Sequence, residues 1–558
     1  MSILGFAFVF AFYGLCACFV RRMKLSLYCA PLVTVCTITM FVYVFGLLGL
    51  LRTGLFIITG LGVVLGIYTL ITSPGTFIHW KTLVFLLACG LLWLRYHNAL
   101  LLQYDDFSHW GLIAQQLLYN DVLPDKNAVL IQFKSYPPAS ACWIYAVCFF
   151  AGSSDGMMIT AQAWFTLVAL LPLFGVSGKK TGAYSFGIIV LIVIVLSIYQ
   201  GTASLMVDNL LAAVAIGVAA MAVQMRQSIR IWSLAVVLMT LCLIKDSGLY
   251  FALLVIALCY FLLRRGHLPK KRLFPLILLP AAGRAIWWIH IKTAFSDAVL
   301  TRHAFTLENM EAVSAGRTWE NFIAIGKAVL RSALTRYNHS LLMLGLMLIC
   351  CTAIVLLRYF HTRKLSFSRE AALLIGSCVI YGFYLALLFG MYYFTMPLEA
   401  ALEAVAFERY NITLALFLYG LFTMYILLMP LDLLPFKRMM PFVLAMMIAV
   451  PIAIPIYRSG VHRLISETYS VPVREQIYAL EEKRPLQSVE TAGLYIGDLS
   501  LQGDFVSYIA AYTFQQNLTI YTTDTLDTAA LPDVLYALVT DDVLDILVDQ
   551  EKVEIVTL

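Results

Sequence analysis

The chain has 558 residues, of which 61% are hydrophobic and 13% charged, against ~25% charged in soluble globular proteins. Mean hydropathy is +0.87, and apolar runs of about 18 to 27 residues recur from Met1 to about Tyr457, long enough to cross a bilayer. A soluble enzyme, a disordered chain and a disulfide-stapled scaffold are excluded, and the chain reads as an α-helical polytopic membrane protein. The net charge of +6 includes no basic stripe of the kind that binds nucleic acid. The twelve cysteines lie in or beside apolar runs without a CxxC pair, as packing residues do.

Fourteen spans are predicted, near 1–20, 25–51, 55–72, 82–102, 157–176, 183–199, 205–225, 231–244, 249–263, 273–294, 338–358, 371–394, 409–430 and 439–457. The first is followed, not preceded, by Arg21, Arg22 and Lys24. It reads as a retained span with its N-terminus outside. Alternation from there puts nearly every basic cluster on the inner side, including Lys179/Lys180, Arg226/Arg230, Arg264/Arg265, Arg358/Arg363/Lys364 and Lys437/Arg438. The parity holds only if 138–152 does not cross. That run would be about 22 Å long as a helix, short of the ~30 Å hydrocarbon core. It is predicted as an interfacial or re-entrant helix on the outer side.

Four regions follow. Residues 1–102 hold the N-terminal spans, 103–156 a first outer loop with its juxtamembrane helix, and 157–457 the transmembrane core with a second outer loop at 295–337. The tail, 458–558, changes character. Short β-type runs at Gly493–Ile496, Leu518–Thr522, Leu535–Val539 and Val553–Leu558 alternate with helical patterns near 463–484, 504–515 and 542–550. That pattern predicts a small extracytoplasmic α/β domain. From Pro485 onward it carries twelve Asp/Glu against the single Lys552.

Candidate chemistry begins where the first outer loop opens, at Tyr104-Asp105-Asp106-Phe107-Ser108-His109-Trp110-Gly111. Two adjacent carboxylates at a membrane boundary are costly unless a site uses them. One is suited to accept a proton from a hydroxyl, and the other to orient it or hold a metal ion. His109 would share a helical face with Asp106. A pair of solvated loop carboxylates with a helix cap is the plain alternative. The loop closes on Phe133-Lys134-Ser135-Tyr136-Pro137-Pro138, which holds Lys134 at the level of a lipid phosphate, or simply against anionic lipid. Further polar groups in apolar surroundings are Arg95, His97, Asp208, Lys245 in Lys245-Asp246-Ser247-Gly248, Arg284 and Glu408-Arg409-Tyr410. Each is open to reading as a structural pair or a snorkelling side chain. Together they suggest an outward hydrophilic cavity that suits a phosphate anion. Trp287-Trp288 and Met391-Tyr392-Tyr393-Phe394 read as interfacial aromatic belts.

The order of these features resembles the GT-C membrane glycosyltransferases, which include protein O-mannosyltransferases, the lipid A aminoarabinose transferase and many bacterial cell-envelope enzymes. Asp105-Asp106 matches the family's paired acids at the opening of the first outer loop. Tyr136-Pro137-Pro138 matches its Pro-Pro motif, although the basic residue, Lys134, lies two positions before Tyr136. Asp208 is similar to an Asp opening a later span, Lys245 with Gly248 to a Lys and Gly between two short helices, and Arg409-Tyr410 to a late Arg-Tyr pair. The likeness runs loosely over about 100–430. Three spans precede the acid pair where many relatives have one, and YDDFSHWG looks like the motif of Gram-positive bacterial members.

The resemblance implies an inverting transfer of a sugar from a polyprenyl-phosphate donor to a hydroxyl of a cell-envelope glycan, lipid or protein, on the outer face of the plasma membrane. Asp105 would be the base and Asp106 its orienter. His109 would shape the acceptor site, and Lys134, Tyr136, Asp208, Lys245, Arg409 and Tyr410 would bind substrate and its phosphate. No cofactor follows from the motifs; a divalent cation at Asp106 stays open. Two other readings stand beside it. A flippase or transporter of lipid-linked glycans should show repeated halves, and none is visible. A polymerase or ligase using polyprenyl-diphosphate donors would place arginines in a late outer loop, as Arg302, Arg317, Arg331 and Arg336 in 295–337 allow.

Overall fold

The computed structural model describes residues 3–77, 80–126, 128, 130–131, 133–176, 204–224, 230–265, 273–295, 307–335, 338–428, 470–487, 489–497, 503–526, 531–540, 544 and 553–558. The chain is a multi-pass helical membrane protein with a small C-terminal α/β domain. Among the described residues, eight helices are long and apolar enough to cross a bilayer. The runs predicted at 183–199 and 439–457 lie outside the described residues.

The first three spans are α1 (Ile3–Arg22), α2 (Ala30–Leu47) and α3 (Leu51–Thr72). Glycine brings α1 and α3 together: a Cβ on Gly14 would lie 2.1 Å from the Gly62 carbonyl oxygen and 2.5 Å from the Gly66 nitrogen. Small residues spaced four apart let helices in lipid gain contact where no hydrophobic effect drives them. The fourth predicted span is α4 (Trp80–Tyr96). It ends six residues earlier than expected, and Arg95, expected inside it, is exposed and lies over the Tyr96 ring.

Several of the next helices are short. After the acid pair come a π-helical turn (Asp106–Trp110) and α5 (Gly111–Asn120). Then follow α6 (Ala139–Ala151), α7 (Asp155–Leu170), α8 (Asp208–Gln224), α9 (Arg230–Cys242) and α10 (Gly248–Arg265). At 13 residues, α6 is ~20 Å long and too short to span. It is enclosed by protein and not laid along a surface. Nearly all its side chains are buried, Trp143 Nε1 donates to the Ala161 carbonyl oxygen at 2.7 Å, and Phe150 stacks on Phe8. A helix apolar on every side must be covered on every side. Also enclosed is α8, whose run of Ala, Val and Gly lets α7, α10 and the later span Phe407–Leu428 approach it closely.

The longer helices that follow are α11 (Phe274–Ala294), α12 (Leu307–Ser314), α13 (Trp319–Ala333), α14 (His339–Thr362), α15 (Ser368–Thr395) and α16 (Phe407–Leu428). Large apolar side chains on α3, α4, α14 and α15 face outward, the inverse of a soluble surface. Arg358, expected in an inner basic loop, is buried. Its Nη2 donates to Glu370 Oε1 at 2.7 Å, and the Tyr425 hydroxyl donates to the same oxygen, tying α14, α15 and α16.

The C-terminal region folds as α17 (Ser470–Lys483), β1 (Ala492–Tyr495), α18 (Gly503–Phe514), β2 (Thr519–Tyr521), β3 (Val534–Ala537) and β4 (Glu554–Thr557). The sheet is wholly parallel in the order β2-β1-β3-β4. Side chains alternate between its faces. Leu494, Val534 and Tyr536 join the main core, while Tyr495, Leu535 and Ala537 form a separate cluster on the other face.

Candidate active site at the charged end of the bundle

Four segments far apart in the chain meet at one end of the helices. Asp105 precedes the π-helical turn, Asp208 is the first residue of α8, Lys245 lies in the turn between α9 and α10, and Arg409 is in the first turn of α16. Their charges pair across these segments. Lys245 Nζ donates to Asp208 Oδ1 at 2.6 Å. Arg409 Nη1 donates to Asp105 Oδ2, and its Nε lies 4.0 Å from Asp208 Oδ2. Thr413, one helical turn beyond Arg409, reaches Asp208 at 3.4 Å. Tyr410 lies between the two cations: Lys245 Nζ is 5.2 Å and the Arg409 guanidinium 5.2 Å from its ring centre. Asp246 and Arg284 form a further ion pair beside Lys245.

The arrangement has two carboxylates and two cations, so its formal charge is zero. The side chains of Asp105, Lys245 and Arg409 keep 18%, 16% and 24% of their exposure. The cluster is thus sheltered yet reachable. Among the described residues, Asp105 Oδ1 has no hydrogen-bond partner; both contacts of this carboxylate are made through Oδ2.

The two adjacent acids part company. Asp106 is fully buried, and its oxygens accept from the Leu205 N–H at 2.8 Å, the Ser204 hydroxyl at 3.1 Å and the Gln103 N–H at 3.4 Å. It holds the chain before α8 against the acid loop. His109 meets Asp105 and not Asp106, with Nε2 3.9 Å from Asp105 Oδ2 and Nδ1 2.8 Å from the Ser108 hydroxyl. The π-helical turn changes which residues share a face, so the expected Asp106–His109 pairing does not form. Burial pushes the His109 imidazole down to about 3, so it is neutral at ordinary pH. It is a hydrogen-bonding and packing group there, not a cation. Gly111 N–H donates to the Asp106 carbonyl oxygen to close the turn. A Cβ on Gly111 would lie 2.6 Å from that oxygen and 2.9 Å from Leu101 Cδ1. We therefore expect Gly111→Ala to shift the turn, lowering stability by roughly 1–3 kcal/mol and turnover by up to about 100-fold. Melting and initial-rate measurements on the same preparation check both.

Asp106 supplies a pH prediction. Burial, opposed by the three donors, pushes its carboxyl from 3.8 up to about 7. The folded chain then holds this proton more tightly than the unfolded chain. Its stabilisation is complete below 3.8 and is lost as pH rises through about 7. The thermal midpoint is expected to fall between about pH 5 and about pH 8, and Asp106→Asn, which cannot ionise, should flatten that part of the curve. Asn keeps a carbonyl oxygen for Leu205 and Ser204, so transfer should survive the substitution.

Lys134 does not join the cluster. Its ammonium lies over the Phe295 ring at 5.7 Å, and among the described residues no carboxylate pairs with it. Tyr136 closes one side of the site, stacked on Trp110 at 5.1 Å and edge-on to His109 at 5.0 Å. The predicted belts divide. Trp288 is exposed, but Trp287 is buried and its Nε1 donates to the Ser135 carbonyl oxygen at 3.1 Å, anchoring the Lys134–Pro138 segment. Tyr392 is likewise buried, its hydroxyl donating to the Val405 carbonyl oxygen at 2.7 Å. Arg302 and Arg336 lie outside the described residues. Arg317 donates to the Tyr392 and Met396 carbonyl oxygens and so ends α15. Sequence reasoning missed Thr413, Ser204 and Trp287. Thr413 alone carried a signal, since it sits four residues after Arg409 on one helical face.

Fold and site together define a polytopic helical membrane protein with a sheltered cluster of paired acids and bases at one end of its helices. No family model matches the sequence, and no curated protein matches it. Among solved structures, the chain is similar to ArnT from Cupriavidus metallidurans in its apo state. The identity is 11%, the match covers 85% of this chain and 89% of that one, and the TM-score is 0.37. At that score the two backbones differ too much for residue roles to pass from one to the other.

Proposed function

We propose that the protein is a GT-C-type integral membrane glycosyltransferase, moving a sugar from a polyprenyl-phosphate donor to a hydroxyl acceptor of the cell envelope on the extracytoplasmic face. The observation that carries this reading is the meeting of Asp105, Asp208, Lys245 and Arg409 in one sheltered, reachable cluster. The ordered motifs of the sequence support it.

In this reading the acceptor hydroxyl attacks the anomeric carbon as the bond from that carbon to the phosphate oxygen breaks. The proton passes to Asp105, and the phosphate leaves with the electron pair. Lys245 and Arg409 hold the departing phosphate, Arg409 through two guanidinium nitrogens. Each cation is engaged by a carboxylate beforehand, so an entering phosphate competes with Asp105 for Arg409 and with Asp208 for Lys245. Arrival of the donor thereby releases the Asp105 carboxylate for the acceptor. Asp208, held by Lys245 and Thr413, sets where the ammonium sits. Lys134, outside the cluster and over the Phe295 ring, has no part in holding the departing phosphate in this reading. The apolar donor tail would lie along the spans, which gives a physical reason for building the site inside a membrane.

The test is transfer of radiolabelled sugar from a polyprenyl-phosphate pool by the purified protein, in detergent with native lipid extract. Label moved to a hydroxyl acceptor supports the reading. Label that stays on the donor lipid while that lipid crosses the bilayer of reconstituted vesicles would replace it with a flippase.

A further inference from the structure

We propose that the C-terminal α/β domain is a positioning element of this site: a buried Asp155–Arg474–Tyr512 clasp holds the segment that carries Asp105 and His109. The inference rests on the reading of Asp105 given above.

Asp155 opens α7, and both its oxygens are taken. Oδ1 accepts from the Tyr512 hydroxyl at 2.7 Å, while Oδ2 accepts from Arg474 Nη2 at 2.5 Å and from the Leu101 N–H at 3.0 Å. One carboxylate thus joins α17 and α18 of the domain to the chain four residues before Asp105. The Arg474 guanidinium also lies 5.6 Å from the ring centre of Phe107, two residues after Asp105. Phe107 has no exposed surface and packs edge-on against Tyr512 at 5.3 Å and against Phe505 at 6.0 Å. Tyr104 packs on Tyr508 and Phe505. Gln515 bonds to Gln116 at 2.9 Å and to Gln115 at 2.5 Å. The domain therefore grips the acid loop on both sides of Asp105 while Asp105 itself turns to Arg409.

The chemistry of the clasp argues for placement over simple adhesion. Apolar packing would attach a domain at lower cost, because burying an ion pair usually costs more in desolvation than its attraction returns. Arg474 and Asp155 keep only 8% and 10% of their exposure, and among the described residues the buried Arg474 Nε has no hydrogen-bond partner. Directional bonds retained at such a cost specify geometry. A displacement of about 1 Å at a reacting group costs on the order of 100-fold in rate.

The experiment uses the full chain with Tyr512→Phe, Arg474→Gln and Arg474→Lys, each in two measurements. The first is amide hydrogen exchange, which does not depend on what the protein does. Faster exchange in 103–120 with β1 and β3 unchanged supports the clasp; unchanged exchange in 103–120 overturns it. If Arg474→Gln also loosens β1 and β3, the milder Tyr512→Phe decides. The second is transfer kinetics. Turnover is expected to fall roughly 10- to 100-fold, with the KM for the polyprenyl-phosphate donor unchanged and partial recovery in Arg474→Lys. Faster exchange with full turnover would overturn the link to the site. A wild-type protein with no transfer activity would sink the proposed function, yet the exchange arm would still decide the clasp.

Discussion

Asp105→Asn is expected to lower sugar transfer by about 10²- to 10⁴-fold, the usual contribution of a positioned general base. The substitution is isosteric. Its side-chain oxygen still accepts from Arg409, and Arg409 stays within 4.0 Å of Asp208, so the fold and the placement of His109 should persist. Removing one negative charge leaves Arg409 with a weaker competitor, and the donor phosphate should bind at least as tightly as before. The signature is therefore a fall in kcat with an unchanged or lower KM for the donor. A variant that merely loosened the site would raise KM. Initial rates at several donor concentrations separate the two, and a wild-type rate in Asp105→Asn would remove this residue from the role of base. The adjacent acid supplies the control. Asp106→Asn should retain transfer, because Asp106 is spent on Ser204, Leu205 and Gln103.

Arg409→Gln is expected to act on binding and on the fold together. Without the guanidinium, Asp105 and Asp208 face Lys245 alone, and the formal charge of the cluster drops from zero to −1. An anionic donor then meets repulsion in place of a bidentate partner, and truncating one side of a hydrogen-bonded charge pair costs ~2–5 kcal/mol. That corresponds to a loss of donor affinity of roughly 30- to several-thousand-fold. Stability should fall as well, by about 3 kcal/mol or less, since Asp105 keeps some solvent and is not stranded in a dry interior. The double variant Asp105→Asn with Arg409→Gln separates the effects. It should regain most of the lost stability, because no unpaired carboxylate remains, and none of the transfer. Equal destabilisation in the single and double variants would show that the Arg409–Asp105 pair carries no coupling.

The class of the protein was legible in the chain because lipid is an unforgiving solvent. Every backbone polar group must be satisfied within a helix, and about 20 apolar residues must follow one another. The strands of the C-terminal domain were legible for a related reason: short apolar runs at 493–496, 518–522, 535–539 and 553–558 are too brief for helices, and β1 to β4 fall on them. The candidate residues stood out because an ion in an apolar run is expensive, so Asp105, Asp208, Lys245 and Arg409 were conspicuous before any contact was known.

Tertiary structure alone decided what those residues touch. Asp105 and Arg409 are separated by 304 positions and Asp208 and Lys245 by 37, and no local pattern encodes such pairings. Two neighbouring aspartates are equivalent in sequence, yet one faces the cluster and the other is sealed against Ser204 and Leu205, because successive side chains on a helical turn leave the axis in different directions and meet different neighbours. Trp287 looked like a membrane belt residue and is a buried anchor. Asp155, an unremarked residue at the start of a helix, ties the C-terminal domain to the acid loop through Arg474 and Tyr512. Hydropathy and spacing report the solvent that each residue must meet. Which acid meets which base depends on how the helices pack, and that is a property of the whole chain.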